Sequence, residues 1–395
     1  FNALLKWSNA DAADALFQIC AANPAYQARA FKGFISLVAT PAVPEDQKLL
    51  QYRKLMSLAQ GDEQKLMVID RLGDVKTFSA LIYTANFLDD KALQSDAANS
   101  VIQIALPGSG KTVGLTGEIV KAALSKSAGL LKGAESDYDK EKVKKYLASM
   151  PDEKGYVPMF NGKDLTGWKG LVGNPITRAK MTEKELASKQ IEANTKAAKN
   201  WSVKDNSIVF NGAGDNLCSE KQYGDFEMIV DWRITKKGDS GIYLRGSPQV
   251  QIWDTSRVEV GAKVGSGGLY NNAKFRSTPL KVADNPIGEW NHFYIKMVGE
   301  KVTVTLNGVL VVDQVPLENY WDRSIPIFPK EAIELQAHGT DLAFRDIYVN
   351  EINDNHYILS PEEQKEGFVP LFNGINFDGW TGNTVDYEVK NGEIV

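Results

Sequence analysis

Polar and aromatic side chains suited to sugar chemistry recur at alternate positions of four short segments of the chain. The segments are FEMIVDWRI (226–234), IYLRG (242–246), QVQIWD (249–254) and IELQAHG (333–339). Alternate residues of a β-strand point to opposite faces of the sheet, so the apolar set predicts a core face and the other set a polar face. Arg, Tyr, Trp, Gln and His on that polar face favour a carbohydrate-binding surface. The alternative is an ordinary solvated sheet.

Tyr270, in the flexible segment GSGGLYNN (265–272), could stack on a sugar ring or anchor its loop, and both options stay open. Trp321, in LENYWDR (317–323), is equally compatible with the core and with a site. The predicted carbohydrate-binding residues are Tyr243, Gln249, Gln251, Trp253, Tyr270, Gln336, Asp231 and Arg233.

Ordinary two-carboxylate glycoside hydrolysis is disfavoured along any single strand. The nearest acidic pair, Glu227 and Asp231, is four residues apart, which is roughly 13 Å at about 3.3 Å per residue. Retaining hydrolysis needs about 5.5 Å and inverting hydrolysis up to about 9.5 Å. Chemistry with a single base is therefore the better match, unless carboxylates of different strands combine.

Residues 155–352 predict a β-sandwich of many short strands. Period-two alternation recurs throughout this range, and the Asn-Gly of VTVTLNGVLVVD is a strong hairpin signal. One segment interrupts the pattern, because residues 177–200 are rich in Ala, Lys and Glu and predict one long exposed helix.

Residues 1–150 predict a helical domain. Apolar residues recur there at three- and four-residue steps, in stretches separated by Asp, Pro and Gly. Short helices joined by short turns favour a stacked repeat of the HEAT or armadillo type, which would dock a protein. The alternative is a plain helical domain that packs on the sandwich.

The stretch ALPGSGKT (105–112) matches a loose phosphate-binding loop, yet its context argues against ATP binding. Such a loop joins a buried strand to a helix, whereas helical patterns precede this one. We expect a Gly/Ser turn between two helices, with Thr112 or Thr116 as the N-cap.

Residues 366–395 repeat the beginning of the β-domain, since FVPLFNGINFDGW follows the pattern of YVPMFNGKDLTGW. Trp168 and Trp380 are further apart in sequence than Trp201 and Tyr387, the next matching pair. The difference between the two separations is about the length of segment 177–200, so the second copy lacks that segment. We expect a tandem second β-domain in the full product.

Composition narrows the class of protein. The chain of 395 residues has a net charge of −5 and 43% apolar residues, which is ordinary for a globular protein and argues against a broad nucleic-acid surface. No apolar run reaches transmembrane length. Cys20 and Cys218 fall in different predicted domains, so a disulfide framework is not expected.

Six motifs in order, FNGKDLTGW, YGDFEMIVDWRI, GDSGIYLRG, QVQIWD, GEWNHFYIKMVGEKVTVTLNG and IELQAHGTDLAFRDI, resemble the 3-keto-disaccharide hydrolase family. The resemblance extends over most of the predicted β-domain. It implies a concanavalin A-like jelly roll with a concave sugar-binding face, after the helical domain. It also implies an exported protein, periplasmic or associated with the outer membrane.

The substrate class implied by this resemblance allows chemistry with one base. The ketone of a 3-keto sugar acidifies the C2 hydrogen, and the enolate formed by its removal expels the group at C1, where water then adds. We predict His338 as the base, with Glu334 as the alternative, and Arg245 as the cation at the enolate. Asp254 is either an acid or a turn cap.

Two further options remain open at the level of sequence. A divalent cation could be held by Asp254, Glu334 or Asn side chains.

The resemblance implies Glu where this chain has Gln249, and an amide cannot act as a base or as an anionic metal ligand. A non-catalytic carbohydrate-binding module on a helical scaffold is the alternative function, and tandem copies would raise its avidity.

Overall fold

The structure, a computed structural model, joins a helical part to a β-sandwich, as predicted. It describes residues 1–7, 12–108, 113–133, 136–352, 365–369, 371–372, 377, 380–382, 386–390 and 393–395. Helices occupy the chain up to Ser149, and strands dominate from Val157 to Glu351. The fold class is therefore the predicted combination of an α-helical domain with an antiparallel jelly roll.

The helices follow the predicted segments closely. They are α1 (Ala13–Ala22), α2 (Gln27–Val38), α3 (Glu45–Met56), α4 (Asp62–Leu72), α5 (Phe78–Ala85), α6 (Gln94–Ala105), α7 (Glu118–Leu130) and α8 (Asp137–Ser149). Each packs mainly on helices close to it in sequence around one apolar core. The assignment to the HEAT or armadillo class stays a prediction.

Helices flank ALPGSGKT, since α6 ends at Ala105 and the next helix begins at Glu118. Residues 109–112 of the motif, including Thr112, lie outside the described residues. The N-cap of α7 is Gly117, with a φ of 104°, and the prediction of a Thr116 cap is wrong. The preceding element is a helix, so the strand that a phosphate-binding loop requires is not there.

Two antiparallel sheets form the sandwich. The strands are β1 (Val157–Pro158), β2 (Trp168–Gly170), β3 (Trp201–Lys204), β4 (Ser207–Asn211), β5 (Leu217–Tyr223), β6 (Phe226–Ile234), β7 (Asp239–Leu244), β8 (Ser247–Trp253), β9 (Asn291–Val298), β10 (Lys301–Leu306), β11 (Val309–Pro316), β12 (Glu331–Leu335) and β13 (Asp341–Glu351). The larger sheet has the order β11-β10-β9-β6-β13-β4-β3, with β1 beside β13, and the smaller has the order β2-β5-β12-β7-β8.

The core between the sheets follows the predicted alternation. Phe226, Met228, Val230 and Trp232 of β6 are all buried in it. Asn307 and Gly308 both have positive φ in the β10–β11 turn, as an Asn-Gly hairpin requires.

The segment predicted as one long helix forms two. A short helix, α9 (Pro175–Ala179), precedes α10 (Glu183–Asn200). Thr182 separates them, because its hydroxyl accepts from the Glu185 amide while the Glu185 carboxylate accepts from the Thr182 amide. This capping box starts a new helix in place of continuing the old one.

Local structure in the second copy matches the first. The Trp168 indole donates to the Met159 carbonyl at 2.7 Å, and the Trp380 indole, at the matching position, donates to the Leu371 carbonyl at 2.9 Å. A hairpin of β14 (Val389–Lys390) and β15 (Glu393–Ile394) repeats the register of β3 and β4. The tandem second domain itself stays a prediction.

The helical domain covers the outer face of the larger sheet. Phe78 of α5 stacks on Tyr156 with ring centroids 4.8 Å apart and meets Tyr348 of β13 edge-on at 5.4 Å. The Gln47 amide of α3 donates to Asn285 at 2.8 Å. Of the two roles expected for this domain, packing on the sandwich is thus present.

A buried cluster of charges lies at the centre of that contact. Asp231 of β6 is 2% exposed, and its carboxylate lies 2.8 Å from Nδ1 of His292 and 3.0 Å from Nε of Arg345. Arg53 reaches the same carboxylate from α3 at 3.4 Å and also pairs with Asp346. The cluster therefore takes groups from both domains.

Titration of the cluster is strongly perturbed. Burial alone would raise the pKa of Asp231, but Arg345, the His292 hydrogen bond and Arg53 outweigh it and hold that pKa well below its usual range. Burial would lower the pKa of His292, yet the carboxylates of Asp46 and Asp231 raise it. Asp231 therefore stabilises the fold above the usual carboxylate range, and His292 stabilises it below its raised pKa.

We expect Asp231→Asn to lower the free energy of unfolding by about 3–5 kcal/mol, because it leaves buried cations unpaired. Urea unfolding at pH 6 measures this. Asp89→Asn is the matched control, since Asp89 pairs with Lys126 at 2.8 Å on the surface and should cost at most about 1 kcal/mol. The stability that the cluster contributes, measured as the difference between the wild type and Asp231→Asn, should fall below about pH 4 and again above about pH 6.5. Equal effects of the two variants would contradict this role.

Candidate functional site

A cavity of about 440 Å³ opens on the outer face of the smaller sheet. This volume is within the range of small-molecule sites. Most of the predicted sugar-binding residues line it, together with residues that were not predicted. The lining includes Asp239, Tyr243, Gln249, Gln251, Trp253, Arg257, Tyr270, Trp321, Gln336 and His338.

Strand pairing brings these side chains together. In the β7–β8 hairpin, Asp239 lies opposite Trp253 and Gly241 opposite Gln251. On the other side of β7, Tyr243 lies opposite Glu334 of β12. Alternation then sends the remaining residues of these strands into the core, where Ile242, Val250, Ile252, Ile333 and Leu335 are buried.

Hydrogen bonds connect the floor of the cavity into one network. The Gln249 amide donates to Gln251, whose own amide donates to Asp239 Oδ1 at 2.9 Å. The other oxygen of Asp239 accepts from Arg257 at 3.1 Å and lies 3.7 Å from Nδ1 of His338. The half-exposed imidazole of His338 thus sits at the rim beside a fixed carboxylate.

Two buried acceptors of the cavity have no hydrogen-bond partner within the described part of the chain. They are the side-chain oxygens of Gln249 and Gln336. An unpaired buried acceptor is costly unless a ligand or water satisfies it. Hydroxyl groups of a sugar are suitable donors to both oxygens.

Aromatic rings form one wall of the cavity. Trp253 is 5% exposed and its indole donates to the Gly265 carbonyl at 2.7 Å, which fixes the ring. Tyr270 packs edge-on against it with centroids 5.4 Å apart and is 50% exposed. The loop of Tyr270 is therefore anchored while its ring stays accessible for stacking.

Glu334 lies opposite Tyr243 on the neighbouring strand, but it is buried and is not among the residues that line the cavity. The side-chain amide of Asn216 donates to its carboxylate at 3.3 Å. Burial raises the pKa of Glu334 to about 7, against the opposing effect of that hydrogen bond. Burial, reinforced by Glu334, also raises the pKa of Tyr243, so the phenol keeps its proton at neutral pH.

Arg245 is outside the cavity, which corrects its predicted role at an enolate. Strand β7 ends at Leu244, and Arg245 takes a left-handed φ of 48°. Its guanidinium then donates to the Gly224 carbonyl and pairs with Asp225. The turn breaks the alternation on which the prediction depended.

Asp254 is a turn cap, the second of its two predicted roles. Its carboxylate accepts from the backbone amides of Lys237 at 2.7 Å and Ser256 at 2.9 Å. Burial would raise the pKa of Asp254, but these hydrogen bonds and Arg257 lower it. The group is thus held as a structural carboxylate.

Asp231 and Arg233 belong to the other sheet, so their prediction as sugar ligands is corrected. Asp231 is in the interdomain charge cluster, and the Arg233 guanidinium lies 4.7 Å from the ring centroid of Trp290. Alternation placed both correctly off the core. The face they reach is the one that packs on the helical domain.

Asp239 and Arg257 were missed from the sequence. Asp239 has the parity of Tyr243, so extending the β7 pattern toward its start would have found it. Arg257 follows β8 in an irregular segment, where no periodic signal exists.

Other features bear on metals, thiols and membranes. Within the described ranges, no group of three or more His, Cys, Asp or Glu is placed to hold a metal ion. The Asp254 carboxylate accepts from backbone amides, and the Glu334 carboxylate accepts from Asn216. A cation held by Asp254, Glu334 or Asn side chains stays a hypothesis. Cys20 and Cys218 are both free and buried. None of the described helices is long and apolar enough to cross a membrane.

Comparison with known families agrees with this geometry. The family model of the 3-keto-alpha-glucoside-1,2-lyase-like domain matches residues 155–350. The β-sandwich belongs to this family. The matched range covers both sheets and every residue of the cavity lining.

One curated relative of the chain is distant in sequence. The chain is 25% identical over 171 residues to a 3-keto-disaccharide hydrolase of Bacteroides thetaiotaomicron, and the match covers 35% of this chain and 51% of that protein. The chain thus spans about half the length of this curated relative.

Solved structures with a similar fold include a candidate glycosyl hydrolase of Parabacteroides distasonis, at 23% identity and a TM-score of 0.38, covering 50% of this chain and 95% of that one. They also include carbohydrate-binding module CBM66 of Bacillus subtilis, at 14% identity and a TM-score of 0.26, covering 38% and 91% of the two chains.

We expect Glu334→Gln to reduce the pH dependence of stability. The folded protein keeps the Glu334 proton up to a pKa of about 7, whereas an unfolded chain releases it near 4.3. Stability should therefore fall as pH rises through that window. Between pH 5 and pH 8 the free energy of unfolding of the wild type should decline by on the order of 3 kcal/mol more than that of the variant.

Chemical unfolding at the two pH values measures the difference. Glu220→Gln is the control, because Glu220 is exposed on the neighbouring strand β5. A Glu334→Gln variant with the pH dependence of the wild type would show that Glu334 is not held protonated.

Proposed function

We propose that the β-sandwich cleaves 3-keto-glycosides, 3-keto-disaccharides among them, by removing the C2 proton, eliminating the group at C1 and adding water. Family membership and the name of the curated relative support this substrate class. The observation that carries the proposal is the pairing of His338 with Asp239 at the rim of a cavity with unpaired amide oxygens.

His338 is the proposed base. A base for this step must reach a proton on bound substrate and be oriented by a neighbouring group. His338 lines the cavity, and Asp239 is the neighbouring carboxylate at 3.7 Å. Arg257 and Gln251 hold Asp239 in place from two other directions.

Tyr243 and Arg257 supply the remaining groups. Tyr243 keeps its phenolic proton and lines the cavity, so it suits the role of donor to the leaving oxygen at C1. Arg257 also lines the cavity and takes the role first assigned to Arg245, that of the cation near the developing enolate. Gln249 and Gln336 accept hydrogen bonds from sugar hydroxyls.

The proposed step conserves atoms and charge. His338 takes the C2 hydrogen as a proton, and the electron pair of that bond forms the enolate of the 3-ketone. The enolate re-forms the ketone and expels the C1 oxygen, which takes a proton from Tyr243, leaving a C1–C2 double bond. The Tyr243 phenolate then takes a proton from water as the water oxygen bonds to C1, and protonated His338 returns its proton to C2. Both residues regain their starting states, and the net reaction is hydrolysis.

Glu334 is the alternative base. Its pKa of about 7 suits proton transfer at neutral pH. However, it is 1% exposed and is not among the residues that line the cavity. It could act only if the surrounding side chains moved and admitted the substrate.

A carbohydrate-binding module is the second candidate function, and Gln249 is the residue that favours it. Gln249 lines the cavity, and its buried amide oxygen has no hydrogen-bond partner among the described residues, so a sugar hydroxyl could serve as its donor. The family resemblance implies a carboxylate there, and an amide provides neither a base nor a charge.

Export to the periplasm or the outer membrane remains a proposal from the same resemblance.

We expect the purified protein to release sugar from a 3-keto-disaccharide and not from its unoxidised parent. His338→Ala should lower kcat by about 10²–10⁴, since this is the usual contribution of a general base. Arg257→Ala should lower kcat, whereas Arg233→Ala, an arginine on the other sheet, should not. Following sugar release over time measures each variant.

Two further arms separate the alternatives. If Glu334→Gln abolishes turnover while His338→Ala remains active, Glu334 and not His338 is the base. Loss of turnover in EDTA, restored by a divalent cation, would add a metal to the site. Binding of the keto-disaccharide in calorimetry without turnover of either sugar would favour the binding module.

A further inference from the structure

A second cavity, of about 540 Å³, lies next to the first on the same sheet. The inserted helix α10 bounds it on one side through Lys189, Ala193 and Lys196, and the loops around Asn174 and Asn216 bound it elsewhere. Trp321 lines both cavities. The two cavities therefore meet at one indole ring.

The inserted helix is held rigidly against the sheet. The Gln190 amide donates to the Gly170 carbonyl of β2 at 2.8 Å, and the Gly170 amide donates to Asn194 at 3.1 Å. A Cβ on Gly170 would lie 2.2 Å from the Ala193 carbonyl oxygen, so the helix backbone contacts the strand directly. The wall that α10 provides is thus preformed.

The indole between the cavities is also fixed. Its N–H donates to the Gly246 carbonyl at 2.7 Å, and Tyr320 packs edge-on against it at 5.0 Å. A fixed, partly exposed indole offers a flat apolar surface of the kind on which sugar rings stack. Trp321 is therefore placed to contact rings in both cavities.

The charges around the second cavity favour a neutral ligand. The charged lining residues are Lys189, Lys196, Glu192 and Asp215. Lys196 and Asp215 pair at 3.5 Å. With positive and negative groups balanced, an anionic ligand gains no net attraction, whereas hydroxyl groups find both donors and acceptors.

We propose that the second cavity is a binding subsite for the neutral, hydroxylated leaving group of the substrate, that is, the sugar ring attached at C1. This inference rests on the proposed function, in which the first cavity holds the keto sugar. Helix α10 would then select glycosides with a second ring. Residues 366–395, which repeat the start of the β-domain, lack a counterpart of segment 177–200.

Ala193→Trp in the full chain tests the subsite, because its indole would fill the second cavity without reaching the first. We expect the KM for a 3-keto-disaccharide to rise about tenfold, while the KM for methyl 3-keto-glucoside stays within about twofold. Lys189→Trp is a second variant at an exposed position, with the same expectation. Ala198→Trp, exposed on the same helix away from the cavity, is the matched control and should change neither value.

Two results would overturn the subsite. One is an equal change of both KM values in Ala193→Trp and Lys189→Trp, and the other is no change in either. Should the wild type cleave neither substrate, the proposed reaction fails and calorimetry still tests the subsite. Wild-type binding of the disaccharide about tenfold tighter than the methyl glycoside, lost in the tryptophan variants, supports it, and equal binding of the two probes refutes it.

Discussion

Asp231 is the buried charge on which the arrangement of the two domains depends. Its carboxylate is 2% exposed and is neutralised by His292 and Arg345 of its own sheet and by Arg53 of α3. A buried ion without full pairing costs several kcal/mol. Covering the larger sheet with the helical domain takes this carboxylate out of water, and Arg53 of that domain helps to offset the cost by completing its pairing. The outer face of the smaller sheet carries the first cavity instead.

The smaller sheet uses its buried polar residues differently. Around Asp231 each charge has close partners, whereas Gln249 and Gln336 present oxygens that the described residues leave unpaired, and Glu334 has a raised pKa through burial. Polar groups held at some cost to stability are typical of functional sites. The contrast between the two faces locates the site better than residue types alone, because both faces carry Arg, Asp and aromatic rings.

How much of the structure the sequence could predict depends on how far apart in the chain the interacting residues are. Alternation is local, so it correctly separated Val250 and Ile252 from Gln249, Gln251 and Trp253. What packs on the outer face of each sheet depends on segments far away in the sequence. No local pattern could therefore show that Asp231 contacts α3. Arg245 failed for a different reason, because a left-handed turn residue ended the strand one position earlier than the pattern suggested. Asp239, by contrast, was within reach of the same alternation.

The repeat shows which parts of the domain local sequence determines. The indole of Trp168 and that of Trp380 bond to equivalent carbonyls, and the β3–β4 and β14–β15 hairpins share one register. These features form in both copies although only the first contains segment 177–200. The additional residues build α10, which packs on the edge strand β2 and contributes only Ala197 as a buried side chain. A helix added at an edge leaves the core unchanged and alters the boundary of the cavity, so it can change which ligand is bound without changing how the sandwich folds.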